Sequence, residues 1–119
     1  MSLKSFATQF VELCNQGKNF DIMRTMYAPN VVSIEGDGRE TVGQMPVLKK
    51  SENWAADKTI HGQTASGPFF NGPNQFAVDF TLDITRKATG ERVNLREVAV
   101  YTVQDEKITR EQFFYDGVR

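Results

Sequence analysis

Cysteine, histidine and tryptophan occur once each in this chain, and no apolar run approaches the length of a bilayer. A lone thiol, Cys14, can neither close an internal disulfide nor build a zinc site with a second cysteine, which fits a reducing compartment. The opening Met-Ser-Leu-Lys-Ser-Phe passes straight into an amphipathic pattern without the apolar block of a signal peptide. A cytoplasmic protein with no membrane partner is therefore expected. Excess charge of either sign is also missing: 14 Lys and Arg stand against 15 Asp and Glu, with no block of like charge. Sequence-independent phosphate binding needs a clustered basic face, so nucleic acid is not an expected partner. No phosphate-binding glycine loop occurs, since Gly36-Asp37-Gly38 reads as a turn, and one histidine without paired cysteines is not a recognisable ligand set. Neither a cofactor nor a metal is expected. With no linker, repeat or low-complexity tract, and with 39% hydrophobic and 24% charged residues, residues 1–119 read as one folded domain.

Leu3, Phe6, Phe10, Leu13, Cys14 and Gly17 recur at spacings of three and four, marking one stripe of a helix that Gly17 ends. Phe20, Met23 and Met26 or Tyr27 belong to a second, shorter helix that must stop before Pro29. Residues 31–35 read as a strand and 42–56 as a helix, with Met45, Leu48 and Ala55 on one side and Trp54 beside them. From Thr59 onward the period becomes alternating, and turn signals at 71–74, 89–90 and 105–106 divide the rest into four strands. Helices first and an antiparallel meander second argue for an α+β fold with the helices on one sheet face.

Tight turns set which side chains share a face. A two-residue turn at Asp105-Glu106 places Tyr101 opposite Arg110, Ala99 opposite Gln112, Glu97 opposite Phe114 and Leu95 opposite Asp116. A turn centred on Thr89-Gly90 places Phe80 opposite Ala99 and Leu82 opposite Glu97. One face then collects Phe76, Val78, Phe80, Leu82, Ile84, Tyr101 and Phe114, interrupted by Glu97, Gln112 and Asp116. His61 and Gln63 join it if no bulge intervenes in 59–70, where Gly67-Pro68 invites one. The opposite face carries Asp83 opposite Arg96 as a charge pair, Glu111, and the apolar Val98, Val100, Phe113 and Tyr115, which would suit a dimer interface. A one-residue slip would invert any strand it affected.

The segments FVELCNQGK, MYAPNVVSIEGDG and EVAVYTVQDEKITREQFFYD resemble the SnoaL-like branch of the nuclear transport factor 2 superfamily, and the likeness extends over practically the whole chain. The resemblance implies a cystatin-like cone: N-terminal helices packed on a strongly curved antiparallel sheet, with an internal pocket and commonly a homodimer. The superfamily contains polyketide cyclases, ketosteroid isomerases, epoxide hydrolases, dehydratases and non-catalytic binding modules, so the fold alone does not name the activity. Against ketosteroid isomerases, Glu35 takes the place of the proton-abstracting aspartate. Phe10 and Ala99 take the places of the tyrosine and protonated aspartate that stabilise the oxyanion. Losing one such donor costs on the order of 10²–10³ in rate, which argues against steroid isomerisation. Asp116 resembles the acid/base aspartate of polyketide cyclases.

Glu97 is the first candidate for chemistry, because a carboxylate among Phe, Leu and Val has its charged form disfavoured and its pKa raised. Its structural alternative is a glutamate hydrogen-bonded to Trp54 or to a helix end. His61 is suited to proton transfer near neutrality, or else is a satisfied edge residue. Glu35 and Asp116 are assisting carboxylates, or else solvated strand ends. Trp54, Tyr101, Phe80, Gln112 and Phe114 are the expected ligand-lining residues, with packing as their alternative role. Cys14 belongs in the core. Two readings stay open: an acid–base enzyme for a small hydrophobic carbonyl compound, of cyclase, isomerase or dehydratase type, with Glu97 and His61 as its proton-transfer pair, and a non-catalytic binding or dimerisation module.

Overall fold

In the computed structural model, which describes residues 1–117 and 119, three helices cover the inner face of one six-stranded sheet. The order is α1 (Leu3–Asn15), α2 (Asn19–Thr25), β1 (Tyr27–Ile34), β2 (Glu40–Val42), α3 (Gln44–Ala56), β3 (Lys58–Asn71), β4 (Gln75–Arg86), β5 (Arg92–Gln104) and β6 (Lys107–Phe114). This is the α+β fold expected. Helix α1 starts where the Ser2 hydroxyl accepts from the Ser5 amide, and it buries Phe6, Ala7, Phe10, Val11 and Cys14. It stops in a Schellman motif, with Lys18 N–H on Leu13 O and Gly17 N–H on Cys14 O. Gly17 holds the left-handed φ of +74° that such a stop requires.

The sheet runs β2-β1-β6-β5-β4-β3, and it departs from a pure antiparallel meander because β1 lies parallel to β6. Strand β1 begins earlier than expected, at Tyr27, and takes in Pro29. A register shift between Tyr27 and Val32 frees that proline from the ladder, where it could donate nothing. Short β2 pairs with the end of β1 and was not anticipated. The core lies between α1 and the sheet, with the Phe10 ring 5.4 Å from Phe76 and 4.5 Å from Tyr101. Among the described residues, no helix is long and apolar enough to cross a membrane.

Register decides which side chains face the helices, and it differs from expectation in two distinct ways. Between β4 and β5 the pairing is displaced by two residues, so Phe80 lies opposite Glu97 and Leu82 opposite Leu95. An even displacement preserves the faces but changes the charge partners: Asp83 pairs with Arg92 at 2.8 Å and Asp79 with Arg96 at 2.7 Å. Between β5 and β6 the turn is as expected, with Asp105 and Glu106 both at positive φ and Val103 opposite Ile108. The register then shifts by one at Thr109, so that Thr102 meets Arg110 and Tyr101 meets Glu111. This odd displacement turns β6 over. Glu111 and Phe113 face the helices, while Gln112 and Phe114, expected inside, lie on the outer face with Val100 and Val98.

Candidate active site

The concave side of the sheet and the three helices frame a cavity of about 1420 Å³ that opens to solvent past Asp37, Arg39 and Glu40. Phe80, Leu82 and Tyr101 line its sheet side, while Trp54 and Lys50 reach it from α3. Lys50 and Trp54 are four residues apart on α3, which puts them on one stripe. Tyr115 closes over Gly36, where a Cβ would stand 3.0 Å from the tyrosine ring; glycine permits that approach.

Two polar groups divide this lining. In the first, Glu97 receives the Arg119 guanidinium at 2.9 Å, and both side chains are nearly enclosed, at 14% and 13% exposure. Burial pushes the Glu97 carboxyl up to about 7, against the opposing pull of Arg119; Glu35 and Glu111 add to the rise. The guanidinium also lies 4.7 Å from the centre of the Tyr115 ring and 5.9 Å from that of Trp54. In the second group, Glu111 accepts from the Tyr27 hydroxyl and, at 2.6 Å, from the Ser33 hydroxyl. Lys50 Nζ donates to Ser33 Oγ at 2.7 Å and to Glu35 Oε1 at 2.6 Å, and the Tyr115 hydroxyl donates to Glu35 Oε2 at 3.0 Å. Glu111 is only 1% exposed, and this burial raises its carboxyl pKa although Ser33 and Tyr27 pull the other way.

Of the residues singled out from the sequence, Glu97, Glu35, Trp54, Tyr101 and Phe80 line the cavity. His61 does not meet Glu97. It sits in a bulge between Ile60 and Gly62 that throws it to the exposed side, where its ring bonds Thr85 Oγ1 at 2.7 Å. Gln63, beyond that bulge, turns inward and donates to Cys14 O at 2.8 Å. Asp116 is exposed, past the last strand. Phe114 is 51% exposed and Gln112 shares its outer face, so neither lines the cavity. Trp54 does not bond Glu97; its Nε1 donates to the main-chain oxygen of Arg119 at 3.2 Å. Lys50, Arg119, Glu111, Ser33 and Tyr27 were missed. The Lys50–Trp54 spacing could have revealed the first of them. Cys14 is buried, which pushes its thiol up to about 12 and leaves it inert. Among the described residues, no three His, Cys, Asp or Glu side chains converge as a metal site would require.

The family model for the SnoaL-like domain matches residues 1–115. A crystal structure from Mesorhizobium loti, provisionally named a SnoaL-like polyketide cyclase, is 39% identical, has a TM-score of 0.90, and covers 97% of this chain and 100% of its own. A provisionally named polyketide cyclase from Pseudomonas putida KT2440 is 15% identical with a TM-score of 0.78, covering 98% of this chain and 92% of its own. A protein of ketosteroid isomerase-like fold from Catenulispora acidiphila is 14% identical with a TM-score of 0.75, covering 93% and 85%. The last two likenesses concern the fold alone. No curated protein matches the chain.

Proposed function

The chain belongs to the SnoaL-like domain family, and from that premise we propose that it is an acid–base enzyme for a small hydrophobic carbonyl compound, with Glu97 as the group that takes and returns the proton. The observation that carries this reading is a carboxyl on the cavity wall, opposite Phe80, whose pKa is pushed up to about 7. Such a group holds and releases a proton with equal ease near neutrality, which is where general acid–base catalysis is most efficient. Cyclisation, isomerisation and elimination at a carbonyl compound all begin with proton transfer beside that carbonyl. Negative charge then develops on the carbonyl oxygen. Phe10 and Ala99 offer no donor for it, whereas Lys50, held in place by Ser33 and Glu35, presents a positive charge to the same cavity.

Exchange of the α-protons of propiophenone in D₂O, followed by proton NMR, tests this. Exchange should exceed the buffer rate and rise with pH through a midpoint near 7. Binding without any exchange above buffer would favour the second reading, a non-catalytic module, for which the missing donors at Phe10 and Ala99 speak.

The outer sheet face is proposed as a homodimer interface. Val98 and Phe114 lie opposite each other there, 37% and 51% exposed, whereas Phe113 and Tyr115, expected on that face, turn to the cavity. Phe114→Lys should convert a dimer to a monomer in sedimentation velocity. A wild-type monomer would rule the interface out.

A further inference from the structure

Among the cations that line the cavity, Arg119 is set apart by being both enclosed and incompletely paired. Lys50 is committed to Ser33 and Glu35, Lys58 donates to Trp54 O and to Asp57 Oδ1, and Arg39 lies exposed at the rim with its Nε on Asp37 Oδ2. A guanidinium has five N–H donors in a rigid plane. Among the described residues, the only hydrogen bond made by that of Arg119 is to Glu97. The residue is nonetheless fixed from several sides. Its main-chain oxygen accepts from Trp54 Nε1 and from Arg86 Nη1, each at 3.2 Å, and its guanidinium carbon lies over the Tyr115 ring, 4.7 Å from the ring centre. A preorganised donor fork is thus presented to an aromatic-walled space.

We propose that Arg119 anchors a carboxylate, so that the ligand is a keto acid: its carboxylate takes the guanidinium edge that Glu97 leaves open, and its carbonyl end extends along Phe80 and Tyr101. Arginine suits this task because the fork matches a carboxylate bidentately. The hydrogen bond between Arg119 and Glu97 then sets the substrate's α-carbon beside the proton-transfer group. The carbonyl part of this inference rests on the function proposed above; the carboxylate part rests on Arg119 alone.

The test compares 4-oxo-4-phenylbutanoate with its neutral methyl ester by isothermal titration calorimetry near neutral pH. Wild type should bind the acid about tenfold or more tighter than the ester, as a charge-assisted hydrogen-bonded pair would give. Arg119→Ala should abolish that preference, and Arg119→Lys, which keeps the charge but not the fork, should retain part of it. Thermal unfolding without ligand identifies any variant that has lost its fold, and the wild-type comparison of acid with ester stands without the variants. Equal binding of acid and ester, a preference for the ester, a preference that survives in folded Arg119→Ala, or no acid binding at millimolar concentration would each overturn the proposal. Glu97→Gln should keep the acid preference while losing exchange. With exchange followed on the α-protons of 4-oxo-4-phenylbutanoate itself, exchange without acid preference would sink the anchor alone, and acid preference without exchange would sink the proton-transfer reading alone.

Discussion

Glu97→Gln is expected to slow α-proton exchange by on the order of 10²–10⁴-fold, the usual range for removing a positioned acid or base. The amide is nearly isosteric, and its oxygen still accepts from the Arg119 guanidinium that Glu97 engages at 2.9 Å. Packing against the cavity wall should survive, and with it ligand binding. What disappears is the exchangeable proton. The pH profile should therefore lose its midpoint near 7, where the wild-type carboxyl titrates. A variant that exchanged within a few-fold of wild type, with the midpoint intact, would move the chemistry elsewhere in the cavity.

Stability should fall as pH rises through neutrality, and the same residue supplies much of the fall. A carboxyl raised from 4.5 to about 7 binds its proton more tightly in the folded chain than in the unfolded one. Between those values the native state carries more protons, so raising the pH favours unfolding. The contribution is complete below 4.5 and lost as pH climbs through 7, and it amounts to about 3 kcal/mol. Glu111, also raised by burial, acts with the same sign. Asp79 and Asp83 are held low by Arg96 and Arg92, so they add the opposite dependence only below the ordinary carboxylate range. Urea unfolding at about pH 5 and about pH 8 should show wild type weaker at the higher value and Glu97→Gln with a flatter response. Equal slopes for the two proteins would mean that the native carboxyl is not proton-rich.

Much of this arrangement is legible in the sequence alone, and the parts that are not share a physical cause. The α1 stripe and its glycine stop were legible because helix periodicity and a left-handed cap are local properties. Glu97 was legible because it interrupts an apolar row whose facing survives any even displacement, including the one between β4 and β5. Glu111 was not. Its inward turn depends on one unpaired residue at Thr109, and no glycine or proline marks the place. His61 was misplaced by another single unpaired residue, at a bulge beside Gly62, although a bulge was anticipated further along at Gly67-Pro68 and the register does shift there, between Ser66 and Phe69. Arg119 lies beyond the last strand, where no periodicity reports on direction.

The unpaired residue in β6 also bears on how relatives of this chain should be compared. It acts as a phase setting: one position more or less along the strand exchanges the side chains offered inward for those offered to solvent. A homologue could keep every inward-facing residue type at its aligned column, lack that single kink, and house a different set of functional groups. Agreement of letters in the final strand is therefore a weaker guide to shared chemistry than agreement in where the strand skips a beat.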